Sequence, residues 1–314
     1  MSHIITTSFP YAFFQGNIVK TEDAKVSIMT NALQYGTGVF GGIRGYYNKE
    51  KGFLSLFRIN DHYTRFLNSL KIIGVELPYT KDELITHTLA LTKQNAPQTD
   101  TYFRPFAYAG STNLSPNLDR DHEFAFALYM IPLGDYLPTD KGISVCVTSW
   151  RRISDNAIPS RAKISGGYIN SALARHEAVM NGYDEAIFLN ESGHVAEGSA
   201  MNFCMVRDGV LITPPKSDDI LEGITRRTIM TLATDLGIPV EERTIDRSEL
   251  YVADEAFFCG TGAQVAWISH IDKRIIGDGK RGKIAGKLQD LFFSVVRGNE
   301  EKYENWCTKI DTHY

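Results

Sequence analysis

Apolar and polar positions along this 314-residue chain switch between a helical period and a strand period, and the switches mark most of its elements. Tyr168, Ile169, Ala172, Leu173, His176 and Val179 or Met180 recur at helical spacing, which predicts a buried stripe on a helix. Gly182 stands just past them, where a left-handed residue ends a helix. The apolar run 185–189 then predicts a short buried strand, 190–193 a turn, and 194–197 a returning strand. Upstream, 11–19 reads as a hairpin about Gly16 and Asn17. From Asn60 to Ile73 the stripe Tyr63, Phe66, Leu67, Leu70 and Ile73 predicts an amphipathic helix, with Arg65 off the stripe. Thr80 and Glu83 have the spacing of a capping box, opening a helix that stops before Pro97.

Residues 101–109 and 124–131 read as strands around a polar loop at 113–121. Two prolines and two glycines within 132–142 predict a linker between domains. Beyond it, 143–148 alternates as a half-buried strand, whereas 154–160 has no regular period. Segments 201–206 and 210–213 form a strand pair about Asp208 and Gly209. Residues 221–226 open a helix that buries Ile229, Leu232, Ala233 and Leu236 and ends at Gly237. A buried strand at 255–259 runs into Gly260, Thr261 and Gly262.

Composition narrows the function classes. With 43% hydrophobic and 22% charged residues the chain is an ordinary globular protein. A net charge of −4 and a pI near 6.1 offer no basic footprint for nucleic acid. No apolar run approaches the roughly 20 residues needed to span a bilayer. The first residues lack a basic-then-apolar leader, so a cytoplasmic protein is expected. Cys146, Cys204, Cys259 and Cys307 are scattered without zinc spacing, so reduced thiols and no metal are expected.

The candidate chemistry centres on a lysine and a glutamate. Lys163 precedes the Gly166-Gly167 turn, and Glu197 ends the strand that returns after the helix. The glycine-rich stretch 31–44 allows close backbone approach and can line a pocket tightly. Glycine ahead of the helix at 224 leaves main-chain N–H groups and a positive dipole end that suit a phosphate.

Lys163 with 165–170, then 184–189, then Glu197 to Asn202, resembles the branched-chain aminotransferases. These are fold-type IV (class IV) pyridoxal-phosphate enzymes, and the similarity runs from about Phe13 to Trp306. The resemblance implies an α/β (α+β) fold with a smaller N-terminal domain (1–134), a linker (135–142) and a larger C-terminal domain (143–314). That larger domain would have a barrel-like sheet and carry the cofactor lysine, with the active site at the domain interface. It also implies at least a homodimer, in which the partner's N-terminal domain helps close the pocket. The implied reaction moves an amino group between leucine, isoleucine or valine (the L-amino acids) and 2-oxoglutarate, with pyridoxal 5'-phosphate as cofactor. Amino acids and 2-oxo acids would thus be its partners, rather than nucleic acid or membrane.

Residue by residue, the resemblance makes Lys163 the covalent attachment point. Glu197 would lie at the ring nitrogen and Tyr168 at the ring 3-oxygen. Arg65, Ile224, Thr225 and Thr261 would hold the phosphate. Tyr35, Phe40, Gly42, Arg44, Tyr102, Arg104, Tyr136 and Gly262 would meet the substrate. Two positions depart from the family pattern: Gly41, where many relatives carry an acidic residue, and Gly262, where alanine is usual. A lyase of the same fold, like the aminodeoxychorismate lyases, and a non-catalytic relative are the alternatives. The Tyr-x-Arg-Pro run at 102–105 and the Phe-x-Gly-x-Arg run at 40–44 fit the transaminase branch, and Lys163 and Glu197 are both present.

Overall fold

A computed structural model describes residues 8–118 and 124–312, so the end of the polar loop predicted at 113–121 lies outside the described residues. The chain divides into two compact units.

The first unit takes in the described residues of Met1–Gly134, Ala162–Gly166 and Ser294–Tyr314. Its elements run β1 (Tyr11–Phe14), β2 (Asn17–Lys20), α1 (Asn31–Tyr35), β3 (Gly38–Phe40), β4 (Ile43–Asn48) and β5 (Phe53–Phe57). They continue through α2 (Ile59–Ile72), α3 (Lys81–Asn95), β6 (Thr101–Ala109) and β7 (Phe124–Pro132). The strand Cys307–Asp311 heads an antiparallel sheet and is followed by β5, β4, β6, β7, β1 and β2, while β3 pairs with β6. Period-two alternation along β6 turns Phe103, Ala107 and Ala109 into a core with Tyr63, Phe66 and Leu70 of α2 and Leu84 and Leu91 of α3. Tyr102, Arg104 and Phe106 alternate with those core residues. The capping box at α3 is formed, with Glu83 N–H donating to Thr80 Oγ1 and Thr80 N–H donating to Glu83.

The second unit comprises Asp135–Arg161 and Gly167–Phe293. It contains β8 (Ile143–Arg151), α4 (Tyr168–Met180), β9 (Glu185–Leu189), β10 (Val195–Gly198), β11 (Asn202–Arg207) and β12 (Val210–Thr213). After these come α5 (Ile224–Asp235), β13 (Val240–Glu242), β14 (Glu255–Gly260) and β15 (Gln264–Ile271). The strands pair in the order β10-β9-β8-β15-β14-β11, and β11 then pairs back onto β10 through Glu197 and Asn202. This last pairing closes the strands into a ring, which leaves no open edge there. Ile143, Val145, Ile187, Phe203, Phe258 and Ile268 belong to the core of this unit.

Four details differ from the sequence reading. In α4 the buried positions are Ser171, Ala174 and Ala178, whereas Ile169 and Met180 are exposed. The helix packs on β8 and β9 through small side chains, which allow a closer approach than the larger apolar ones. Leu236 is likewise exposed, because it is the C-cap of α5 rather than part of its buried face. The first hairpin turns at Gln15-Gly16, both at positive φ, so that Phe14 pairs with Asn17. Segments 162–166 and 294–314 group with the first unit rather than with the C-terminal domain: Ile164 bridges to Val39, and Cys307–Asp311 pairs with β5. Among the described residues, no helix is long and apolar enough to cross a membrane.

Candidate active site

In the first unit, the main chain of Lys163 is held from two directions. Its N–H donates to Ser69 Oγ of α2 at 3.2 Å, and its carbonyl accepts from the Phe40 N–H at 3.0 Å. Ser69 in turn donates to the carbonyl of Arg65, one helical turn earlier. Two glycines permit this packing. Gly36 ends α1 at φ +69°, and a Cβ there would stand 2.7 Å from Gly166 Cα. The Gly166 N–H donates to the Gly36 carbonyl at 3.1 Å, so the segment is tied at both ends. Lys163 Nζ then lies 4.9 Å from the centre of the Phe40 ring.

Arg104 shares that ring. Its guanidinium carbon is 4.5 Å from the Phe40 centroid and 5.2 Å from that of Tyr102, and its buried Nε has no hydrogen-bond partner. A cation over aromatic faces is attracted to their negative quadrupole without neutralising its charge, which keeps it available to an anion. Gly42 is required by Tyr102, since a Cβ at position 42 would lie 2.0 Å from the phenol oxygen. Gly41 has no room either: a Cβ would meet Pro105 Cγ at 2.6 Å, and the Gly41 N–H already donates to the Pro105 carbonyl. That contact is a physical account of the departure at Gly41. Arg44 is 2% exposed and donates through Nη2 to the carbonyls of Leu133 and Gly134 at 3.0 and 2.9 Å. Its guanidinium therefore anchors the chain at Gly134, where the first stretch of this unit ends. Tyr35 is the last residue of α1 and is 40% exposed, and Arg65 is half-buried on α2.

In the second unit, Glu197 is 4% exposed and its carboxylate accepts from Arg152 Nη2 at 2.9 Å, Asn202 Nδ2 at 2.9 Å and the Leu221 N–H at 3.2 Å. Asn202 also donates to the Leu221 carbonyl, which joins Glu197 to the turn that opens α5. A Cβ on Gly223 would lie 1.8 Å from Asn202 Oδ1, so only glycine fits beside that amide. At the start of α5, Gly223 is an extended N-cap without a side-chain cap, and no acidic residue occupies the first turn. Ile224 and Thr225 are both buried there. Tyr168 opens α4 and is half-buried. Thr261 and Gly262 form the turn between β14 and β15, next to Gln264 at φ +57°. Tyr136 is 3.9 Å from where a Gly262 Cβ would be, and Arg175 lies 4.9 Å from its ring.

Residues 38–271 match the amino-transferase class IV family. A probable branched-chain-amino-acid aminotransferase of Aquifex aeolicus is 46% identical over 304 residues, spanning 96% of this chain and 97% of its own. The chain belongs to the class IV aminotransferases. Within that family, the crystal structure of a branched-chain aminotransferase from Thermoproteus uzoniensis with norvaline superposes with a TM-score of 0.92. It is 44% identical and covers 96% of this chain and 99% of its own. A T.th. branched-chain amino acid aminotransferase, complexed with N-(5'-phosphopyridoxyl)-L-glutamate, gives 0.91 at 38% identity, covering 96% and 98%.

Among the residues named from sequence, the first unit brings Lys163, Phe40, Tyr102 and Arg104 together, with Gly42 against Tyr102. The second unit brings Glu197 close to the turn before Ile224 and Thr225. Sequence reasoning missed Ser69, Arg152 and Asn202. Ser69 sits on the predicted helix one turn after Arg65, and Asn202 ends the motif that begins at Glu197. Arg152 lies just past the end of β8 and carries no local sequence signal.

Proposed function

We propose that this enzyme is a branched-chain-amino-acid aminotransferase, moving the amino group between leucine, isoleucine or valine and 2-oxoglutarate with pyridoxal 5'-phosphate. Relatives of that name over nearly the full chain support the reading, as do the neighbours holding norvaline and a phosphopyridoxyl-glutamate adduct. The observation that carries it is the seat of Lys163: a main chain fixed on both sides and an amine over a ring that Arg104 also covers.

The residues fit the cofactor. An uncapped helix N-terminus with no acidic side chain in its first turn suits a phosphate, with Ile224 and Thr225 offering main-chain N–H groups. Arg65 and Thr261 are its proposed further ligands. When bound, pyridoxal phosphate supplies an electron sink for the pair left at the substrate Cα. Lys163 holds it and moves the proton from the substrate Cα. Glu197, hydrogen-bonded on both carboxylate oxygens, is the proposed partner of the ring nitrogen, and Tyr168 that of the ring 3-oxygen.

One site must accept both an apolar and an acidic substrate. Phe40, Tyr102 and Tyr35 are the proposed apolar walls, with Gly42 letting the Tyr102 ring pack against the main chain, and Tyr136 and Gly262 are proposed as further substrate contacts. Arg104, whose Nε has no hydrogen-bond partner, is the proposed partner of a substrate carboxylate. Arg44 acts by fixing the chain at Gly134. We propose a homodimer, supported by a run of exposed apolar side chains (Ile28 78%, Met29 57%, Leu33 62%, Leu114 88%) on the first unit. A cytoplasmic location is proposed with it.

The test is optical. The purified protein with pyridoxal phosphate has a visible band, leucine bleaches it, and 2-oxoglutarate restores it. A band unmoved by all three branched-chain amino acids overturns the reading.

A further inference from the structure

Glu197 is nearly buried, and a buried carboxylate without a cationic partner tends to take up a proton and become neutral. A neutral carboxyl group cannot balance a protonated ring nitrogen, so something must keep this one ionised. Of the donors named above, Asn202 and the Leu221 N–H carry no net charge, whereas Arg152 does.

Arg152 is itself held in place. Its Nε donates to the Asp219 carbonyl at 3.2 Å, its guanidinium lies 5.7 Å from the Phe188 ring centre, and its main-chain N–H donates to the Leu189 carbonyl at 2.8 Å. Its side chain is 11% exposed and that of Glu197 is 6% exposed, so little water screens the pair. Stability is a poor explanation for such a pair, because buried ion pairs often stabilise a fold no better than apolar groups of similar volume.

We infer that Arg152 is a positioning residue that holds Glu197 ionised and fixed for its work at the cofactor ring nitrogen. This rests on the role of Glu197 proposed above. Arg152 acts through its ion pair with Glu197.

The experiment is a double-mutant cycle on the holoenzyme: wild type, Arg152→Met, Glu197→Gln, and the two combined. Single-turnover rates with leucine, the position of the cofactor's visible band, and thermal midpoints are read for each. Arg152→Met is expected to lower the rate by about 10-fold or more and to shift the band in the same sense as Glu197→Gln. In the Glu197→Gln background it should do neither, because the group it acts through is already gone. Arg152→Lys should recover part of the rate, since the charge returns without the fork. If Arg152→Met does not fold, the same cycle with Arg152→Lys decides, with a smaller loss that again disappears beside Glu197→Gln. Multiplying losses in the double variant, or an unchanged rate and band in Arg152→Met, would overturn the inference. Wild-type protein that binds no pyridoxal phosphate would instead overturn the parent reading, and this one with it.

Discussion

Asn202 donates its side-chain amide to Glu197 at 2.9 Å, and the main chains of the same two residues pair where the second unit's ring of strands closes. The carboxylate is thus built into the closure of the fold, so its orientation is set by strand register. Asn202→Ala removes the hydrogen bond to the buried Glu197 carboxylate, worth about 1.5–3 kcal/mol, and with it the one to the Leu221 carbonyl, so the loss should be at least of that size. Urea unfolding should register that loss; a change below about 0.5 kcal/mol would show that water replaces the amide.

The glycines separate into required and replaceable ones. At Gly42 a Cβ would collide with the Tyr102 phenol, so Gly42→Ala should displace that ring and cost about 1–3 kcal/mol through overpacking. Gly262 is outside the left-handed region, and its nearest neighbour to a new Cβ is Tyr136 Cγ at 3.9 Å. Gly262→Ala should therefore be neutral or stabilise by about 0.4–1 kcal/mol. Denaturant titrations of both variants check the contrast, and equal losses would contradict it.

Much of the first unit's architecture was legible. Period-two and period-3.6 patterns located β6, α2 and α3, and the capping box gave the start of α3 to the residue. Helix α4 shows where pattern reading stops. Its boundaries followed from Gly182 and apolar spacing, but its buried face is made of serine and alanine, which a search for large apolar residues passes over. The partners of Glu197 were hidden for another reason. Arg152 is 45 residues upstream, and only the pairing of β8 with β9 and β9 with β10 brings it near. Long-range strand register is not written in any local window.

Glu185 is fully buried in β9, and burial raises its carboxyl above the usual range, although the Ala186 N–H, Ser199 and Arg175 oppose the rise. A raised folded-state value means that the folded protein holds this proton more tightly than the unfolded chain. The contribution of Glu185 to stability is therefore fully present below the ordinary carboxylate value of about 4.3 and is lost as pH rises through its raised folded-state value. Glu185→Gln removes the titration. The variant should match wild type near pH 4 and exceed it in thermal midpoint at pH 8; parallel curves would contradict this.

Arg104 should distinguish the two half-reactions. Arg104→Ala removes a cation that the proposed reading assigns to a carboxylate, and truncating one member of such a buried pair costs about 2–5 kcal/mol. KM for 2-oxoglutarate should rise much more than KM for leucine. Stopped-flow traces of the cofactor band measure each half separately, and equal losses would count against this role.

The central claim is that Lys163 carries the cofactor, and borohydride reduction of the holoenzyme followed by peptide mapping tests it most directly. The account predicts a phosphopyridoxyl label on the peptide containing Lys163 and no labelling in Lys163→Ala. A label on another lysine, or undiminished labelling of Lys163→Ala, would contradict it.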